Sequence, residues 1–134
     1  MSFLLDTNVI SEIRKPAPNA SVKAWIDSVN GAELFLSVLV VGEIRQGVER
    51  LRRRDAARAI VYERWLETLH DAYADRILPI TAEIAEEWGR INAVSPVPVI
   101  DGLEAATAKV MQMTLVTRNT SDVARTGAAL LNPF

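Results

Sequence analysis

The sequence predicts an α/β fold: a central, mostly parallel sheet with helices on both faces. Two observations carry that expectation. Short apolar segments recur along the chain, and stretches with helical apolar spacing separate them. Strands buried on both faces read as such apolar runs. The chain also has 134 residues, 49% of them hydrophobic, enough for one domain over residues 1–134 with a sizeable core.

The elements follow in order. Phe3-Leu4-Leu5 is a short buried strand, and Asp6 stands where a following helix would be capped. Pro16, Pro18 and Asn19 break the chain. Ser21 to Val29 reads as a helix presenting Val22, Trp25, Ile26 and Val29. Glu33 to Ser37 is a second strand, with Ser37 placed to cap the next helix. Val38, Val41, Ile44, Val48 and Leu51 give that helix an apolar stripe. Asp55 opens another helix through Tyr73, with Tyr62, Trp65, Leu66, Leu69 and Tyr73 as its buried side. Arg76 to Ile80 is a third strand. Thr81 caps a helix carrying Ile84, Ala85, Trp88 and Ile91. Ser95-Pro96-Val97-Pro98 is a break. Asp101 opens an Ala-rich helix to about Met113. Thr114 to Thr117 is a fourth strand, Ser121 to Thr126 a short helix, and Ala129 to Leu131 a last strand.

Composition excludes several chemistries. There is no Cys, so no disulfide framework, thiolate-bound zinc or cysteine nucleophile. A single His argues against a histidine metal site. The 15 basic and 17 acidic residues give a net charge of −2, unlike a generic nucleic-acid coat. Met1 to Asp6 has no basic or long apolar leader, and the apolar stretch Leu34 to Gly42 is far short of a membrane span. The expectation is a cytoplasmic protein.

In open parallel sheets, ligands bind beyond the carboxyl ends of the strands. Four acids fall near such positions. Asp6 directly follows the first strand. Glu43 lies within the helix after the second strand, off its apolar stripe, where a solvated surface Glu is the plain alternative. Gly42 and Gly47 flank it; each weakens a helix by up to ~1 kcal/mol relative to Ala. Close approach of another segment or a ligand would justify them. Asp101 starts the Ala-rich helix, where capping is the alternative role. Glu104, one turn on, reads as a surface residue. Asp122 follows the fourth strand, after Thr117, Asn119 and Thr120. At least three of these carboxylates can converge on one sheet edge. Their repulsion calls for a cation; Mg²⁺ and Mn²⁺ prefer oxygen ligands, and no soft ligand is at hand. Such a centre suits phosphoryl chemistry, because the ion activates water and balances phosphoryl charge.

At these residues the sequence resembles a known family. Leu5-Asp6-Thr7-Asn8-Val9-Ile10-Ser11-Glu12, the Gly42-Glu43 helix, Asp101-Gly102-Leu103-Glu104-Ala105-Ala106-Thr107-Ala108 and Leu115-Val116-Thr117-Arg118-Asn119-Thr120-Ser121-Asp122 are similar to PIN-domain ribonucleases. The nearest subgroup is the VapC/FitB-like toxins of type II toxin–antitoxin systems, which the closing Leu131-Asn132-Pro133-Phe134 also fits. The resemblance implies a PIN-like three-layer fold and Mg²⁺- or Mn²⁺-dependent endonucleolytic cleavage of RNA. It implies four catalytic metal ligands at Asp6, Glu43, Asp101 and Asp122, supported by Asn8, Thr117 and Asn119. It further implies a homodimer and a cognate antitoxin. The family usually carries an apolar residue where Glu104 stands and an aromatic one where Val123 stands.

Seven arginines crowd the stretch from Arg45 to Arg64, against three acids. Arg45, Arg50, Arg53, Arg54 and the more distant Arg118 are candidates for RNA or antitoxin binding. A solvated face with local ion pairs is an equally good reading of the stretch. The apolar helices from Val38 to Tyr73 are the expected antitoxin groove.

The principal alternative is a catalytically inactive PIN-like partner acting in a DNA-binding toxin–antitoxin complex. Other strand-end Asp enzymes fit worse. A phosphoacceptor receiver needs a lysine after its last strand, and the only lysines are Lys15, Lys23 and Lys109. A dinucleotide site needs a glycine-rich turn after the first strand. Asn8 replaces the second Asp of a D-x-D phosphatase.

Overall fold

The computed structural model describes residues 1–134. Five strands form one parallel sheet: β1 (Phe3–Leu5), β2 (Leu34–Ser37), β3 (Ile77–Leu78), β4 (Thr114–Val116) and β5 (Ala129–Leu131). Their order is β3-β2-β1-β4-β5. β1 therefore pairs β2 on one side and β4 on the other, Leu4 lying opposite both Phe35 and Leu115. The connections run outward in both directions from β1, so the order reverses between β1 and β4. That switch point opens a crevice at the carboxyl edge of the sheet.

Seven helices cover the two faces: α1 (Thr7–Ile13), α2 (Ala20–Ser28), α3 (Val38–Arg52), α4 (Ala56–Ala72), α5 (Ala82–Val94), α6 (Val99–Val110) and α7 (Thr120–Val123). Successive strand side chains alternate between the faces. Phe3, Leu5, Leu34, Leu36 and Val116 join Val9, Val22, Val40, Val48 and Leu66 in the larger core layer. Leu4 and Leu115 point the other way, against Ala105, Ala108 and Val123. Leu4, Leu5 and Leu36 are fully buried, as central strands of a two-sided sheet require.

Polar residues start most of the helices. Asp6, Asn19, Ser37, Asp55 and Thr81 each accept from a backbone N–H of the helix that follows, which satisfies a donor the helix itself leaves unpaired.

Four local expectations are corrected. The third strand is only Ile77–Leu78. Arg76 instead closes the neighbouring turns, its guanidinium donating to the carbonyls of Gly31, Leu34 and Ala72, and Pro79 has no N–H for the ladder. The Ala-rich helix begins at Val99, not Asp101, with Pro98 before it and no side-chain cap; Asp101 lies in the first turn. That helix stops at Val110, because Gln112 takes a left-handed φ of 56° in the turn into β4. On α3 the buried stripe contains Val40, while Val38 is 39% exposed.

Candidate metal centre at the carboxyl edge of the sheet

Asp6 leaves β1 at the switch point. Its backbone N–H still donates to Val116 of β4 (3.0 Å). Its side chain is 7% exposed and takes three donors. Oδ1 accepts from the Thr7 N–H (2.6 Å), which makes Asp6 the cap of α1. Oδ2 accepts from the Thr117 hydroxyl (2.8 Å) and the Asn8 amide (3.3 Å). One oxygen thus caps α1, and the other faces Thr117 and Asn8.

Thr117 and Asn8 are themselves held. Thr117 Oγ1 accepts from the Asn119 N–H (3.1 Å) and from Asn8 Nδ2 (3.4 Å). Asn8 Oδ1 accepts from the Arg118 N–H (3.2 Å). The polar groups named from sequence at Asn8, Thr117 and Asn119 thus form one network that ties the loop after β4 to the start of α1. Asn119 takes part through its backbone.

Glu43 projects from α3 towards the same edge. It is half-buried, and its Oε1 accepts from the Thr7 hydroxyl (2.7 Å). Thr7 is a positioning residue that sequence reasoning missed. Gly42 and Gly47 have open space where a Cβ would stand, so no segment of the chain itself accounts for them.

α6 packs on small buried residues, Ala105 and Ala108 against the sheet and Gly102 and Ala106 against α5 and the segment after it. This close approach carries Glu104 inward with them. The residue read as surface-exposed is 1% exposed, and neither carboxyl oxygen has a hydrogen-bond partner. The helix phase contained a signal for this. Glu104 shares a face with Ala108 four residues on and Asp101 three residues back. One oxygen each from Asp6, Glu43 and Glu104 lie within 4.8 Å of one another. Burial pushes the Glu104 carboxyl well up from its ordinary value, and the charge of Asp6, a carboxyl-to-carboxyl hydrogen bond with Asp6 open to the protonated form, and the charges of Glu43 and Asp101 push it further.

Asp101 and Asp122 stand outside this tight group. Asp101 is half-buried at the start of α6, and its carboxyl is raised first by burial, then by the charges of Asp6, Asp122 and Glu43. Asp122 is exposed on α7. The five acids therefore share one electrostatic environment. All their donors are hard oxygen atoms, and one buried carboxyl lacks any partner. That donor set fits a divalent cation such as Mg²⁺ or Mn²⁺.

A groove of about 270 Å³ runs from Thr7 and Glu43 along α3 to α4, where Arg54, Arg58, Tyr62 and Trp65 line it. The Arg14 guanidinium stacks 4.2 Å from the ring centre of Tyr62 and donates to its hydroxyl (2.8 Å). The arginine candidates divide. Arg45 and Arg52 are both paired with Glu49 and Glu63 in a surface network. Arg50, Arg53 and Arg54 take no part in that network, and of these three only Arg54 lines the groove. Arg118 lies beyond the groove, its guanidinium 4.8 Å from the Phe134 ring centre.

Comparison with known proteins identifies the fold's family. The PIN domain pattern covers residues 3–128. The chain belongs to the PIN-domain family. Toxin FitB of Neisseria gonorrhoeae is 35% identical over 137 residues, spanning 98% of each chain. The VapC ribonuclease Y4jK of Sinorhizobium fredii is 32% identical, spanning 98% of this chain and 97% of the relative. A solved structure of FitAB bound to an IR36 DNA fragment superposes with a TM-score of 0.88 at 36% identity, covering 98% of this chain and 94% of that one. These likenesses run nearly the whole length of the chain. No helix is long and apolar enough to cross a membrane.

Proposed function

We propose that this PIN-domain protein is a metal-dependent ribonuclease toxin, held in check by a cognate antitoxin. The observation that carries the reading is the meeting of Asp6, Glu43 and Glu104 at the switch point, with Asp101 and Asp122 adding their charge. The ribonuclease and toxin names of the full-length relatives support it.

Asp6, Glu43, Asp101 and Asp122 are the residues proposed to hold Mg²⁺ or Mn²⁺. Such an ion, when bound, neutralises phosphodiester oxygens and makes water a better nucleophile. The chain's own residues prepare the site. Thr117, Asn8 and the Thr7 N–H fix both oxygens of Asp6, and the Thr7 hydroxyl orients Glu43. With these groups already aligned, little reorganisation is needed when charge develops on a phosphate. Arg54 and Arg58 give the adjoining groove a positive end suited to RNA phosphates or to an acidic antitoxin segment. One domain, a homodimer and a cytoplasmic location belong to the same proposal.

The experiment is to map RNA ends in cells expressing the wild type or Asp6→Asn. Asn retains the helix cap but removes the charge. The wild type is expected to leave 5′-phosphate and 3′-hydroxyl ends, and the variant none. Ends carrying 2′,3′-cyclic phosphate reject the mechanism. The DNA-bound relative motivates a second reading, a catalytically silent subunit of a DNA-binding complex. Intact RNA in wild-type cells, together with no Mn²⁺ binding by the purified protein, selects that reading.

A further inference from the structure

We infer that Glu104 is a direct ligand of the divalent cation, completing with Asp6 and Glu43 an inner group of three carboxylates. The inference rests on the metal-centre reading above and adds a residue that the family resemblance does not supply. At this position PIN-like toxins usually have an apolar side chain.

The three inner carboxylates differ in what they lack. Asp6 has three donors. Glu43 has one, on Oε1. Glu104 has none, although it is only 1% exposed. A buried carboxylate without a partner is rare, because nothing replaces the water it lost. Asp6 and Glu43 add acceptor oxygens within 4.8 Å, so an ionised Glu104 gains no donor from either, and only its protonated form can bond to Asp6. No basic side chain fills the gap. The nearest lysine in sequence, Lys109, is engaged with Glu87 and the Thr126 carbonyl. A hard cation satisfies all three acids at once, since it takes oxygen ligands from several directions.

The packing of α6 also argues that Glu104 is aimed and not merely tolerated. Ala105 and Ala108 press the helix onto the sheet and Ala106 packs against α5, all with no exposure, leaving the Glu104 carboxyl no route to solvent. A cation bound there is gripped from the end of β1, from α3 and from α6 together, before RNA arrives.

The test is Mn²⁺ binding to the purified full-length protein without RNA, by calorimetry and by the metal-induced rise in melting temperature. Wild type, Glu104→Gln, Glu104→Leu and Asp6→Asn are compared, with circular dichroism to verify folding. Both Glu104 variants are expected to bind Mn²⁺ at least about tenfold more weakly and to lose most of the thermal rise. Glu104→Leu restores the apolar character usual at this position, so it decides the matter if Glu104→Gln fails to fold. Wild-type affinity in both Glu104 variants, alongside weakened binding in Asp6→Asn, overturns the role of Glu104 and leaves the metal centre standing. No Mn²⁺ binding by the wild type overturns both.

Discussion

Thr117 donates its hydroxyl to Asp6 Oδ2 at 2.8 Å, across 111 residues of sequence and across the one gap where the strand order reverses. Both side chains are almost fully buried. The bond joins the ends of β1 and β4, and it orients the oxygen of Asp6 that the helix cap leaves free.

Thr117→Val tests that bond with little change of shape. Asp6 Oδ2 would retain only the longer contact from Asn8. A loss of about 1–2 kcal/mol in folding stability is expected from the unmet acceptor. RNA cleavage is expected to fall with it, and Thr117→Ser to recover most of both. Urea unfolding and a gel-based cleavage assay measure the two effects. Equal behaviour of the Val and Ser variants would show that the hydroxyl is dispensable.

The acidic centre sets a pH dependence. Burial, followed by neighbouring negative charge, raises the carboxyls of Asp101 and Glu104 above their ordinary values of 3.8 and 4.5. The folded state therefore holds protons that the unfolded chain has released. Their contribution to stability is complete below the ordinary values and is lost as pH rises through the raised ones. The surface acids Glu12, Glu49, Glu63 and Glu87 are shifted downward, first by hydrogen bonds from Lys or Arg, and act in the opposite sense below 4.5. In EDTA, the melting temperature of the wild type is expected to decline as pH rises above 4.5, more steeply than that of Glu104→Gln. Adding Mn²⁺ should flatten the wild-type profile. Parallel EDTA profiles for the two proteins would contradict this account.

Gly102 fixes how closely α6 approaches α5. A Cβ there would stand 2.9 Å from Val97 Cγ2 and 3.0 Å from Trp88 Cδ1. Gly102→Ala is expected to cost about 1–3 kcal/mol through overpacking. Because Asp101 and Glu104 ride on the same helix, Mn²⁺ affinity should fall as well. Denaturation followed by tryptophan fluorescence reports the first effect, and calorimetry the second. An unchanged protein would mean that Val97 gives way freely.

Much of this architecture is legible from local chemistry. Ser37, Asp55 and Thr81 open helices because their side chains bond backbone N–H groups two or three residues ahead. Asp6 is legible because an acid directly after a buried strand has few other places to go. The polar run after β4 is legible for the same reason. Arg45 is not: whether an arginine faces a ligand or an acid on the neighbouring helix depends on how α3 and α4 pack, and here Glu63 of α4 claims it.

The sequence by itself determined the alternation of elements, the sheet edge on which acids gather and the hard-oxygen character of the centre. These follow from the apolar pattern, from the capping residues and from the absence of Cys. Only the tertiary structure decided which acids are nearest neighbours. Asp101 is half-buried outside the tight group, while Glu104, on the same helix, is buried inside it. The physical reason is that a helix's apolar pattern sets which side turns inward, but the depth of that side depends on how closely the helix approaches the sheet. On α6 Ala105 and Ala108 allow an approach close enough to bury a glutamate whole.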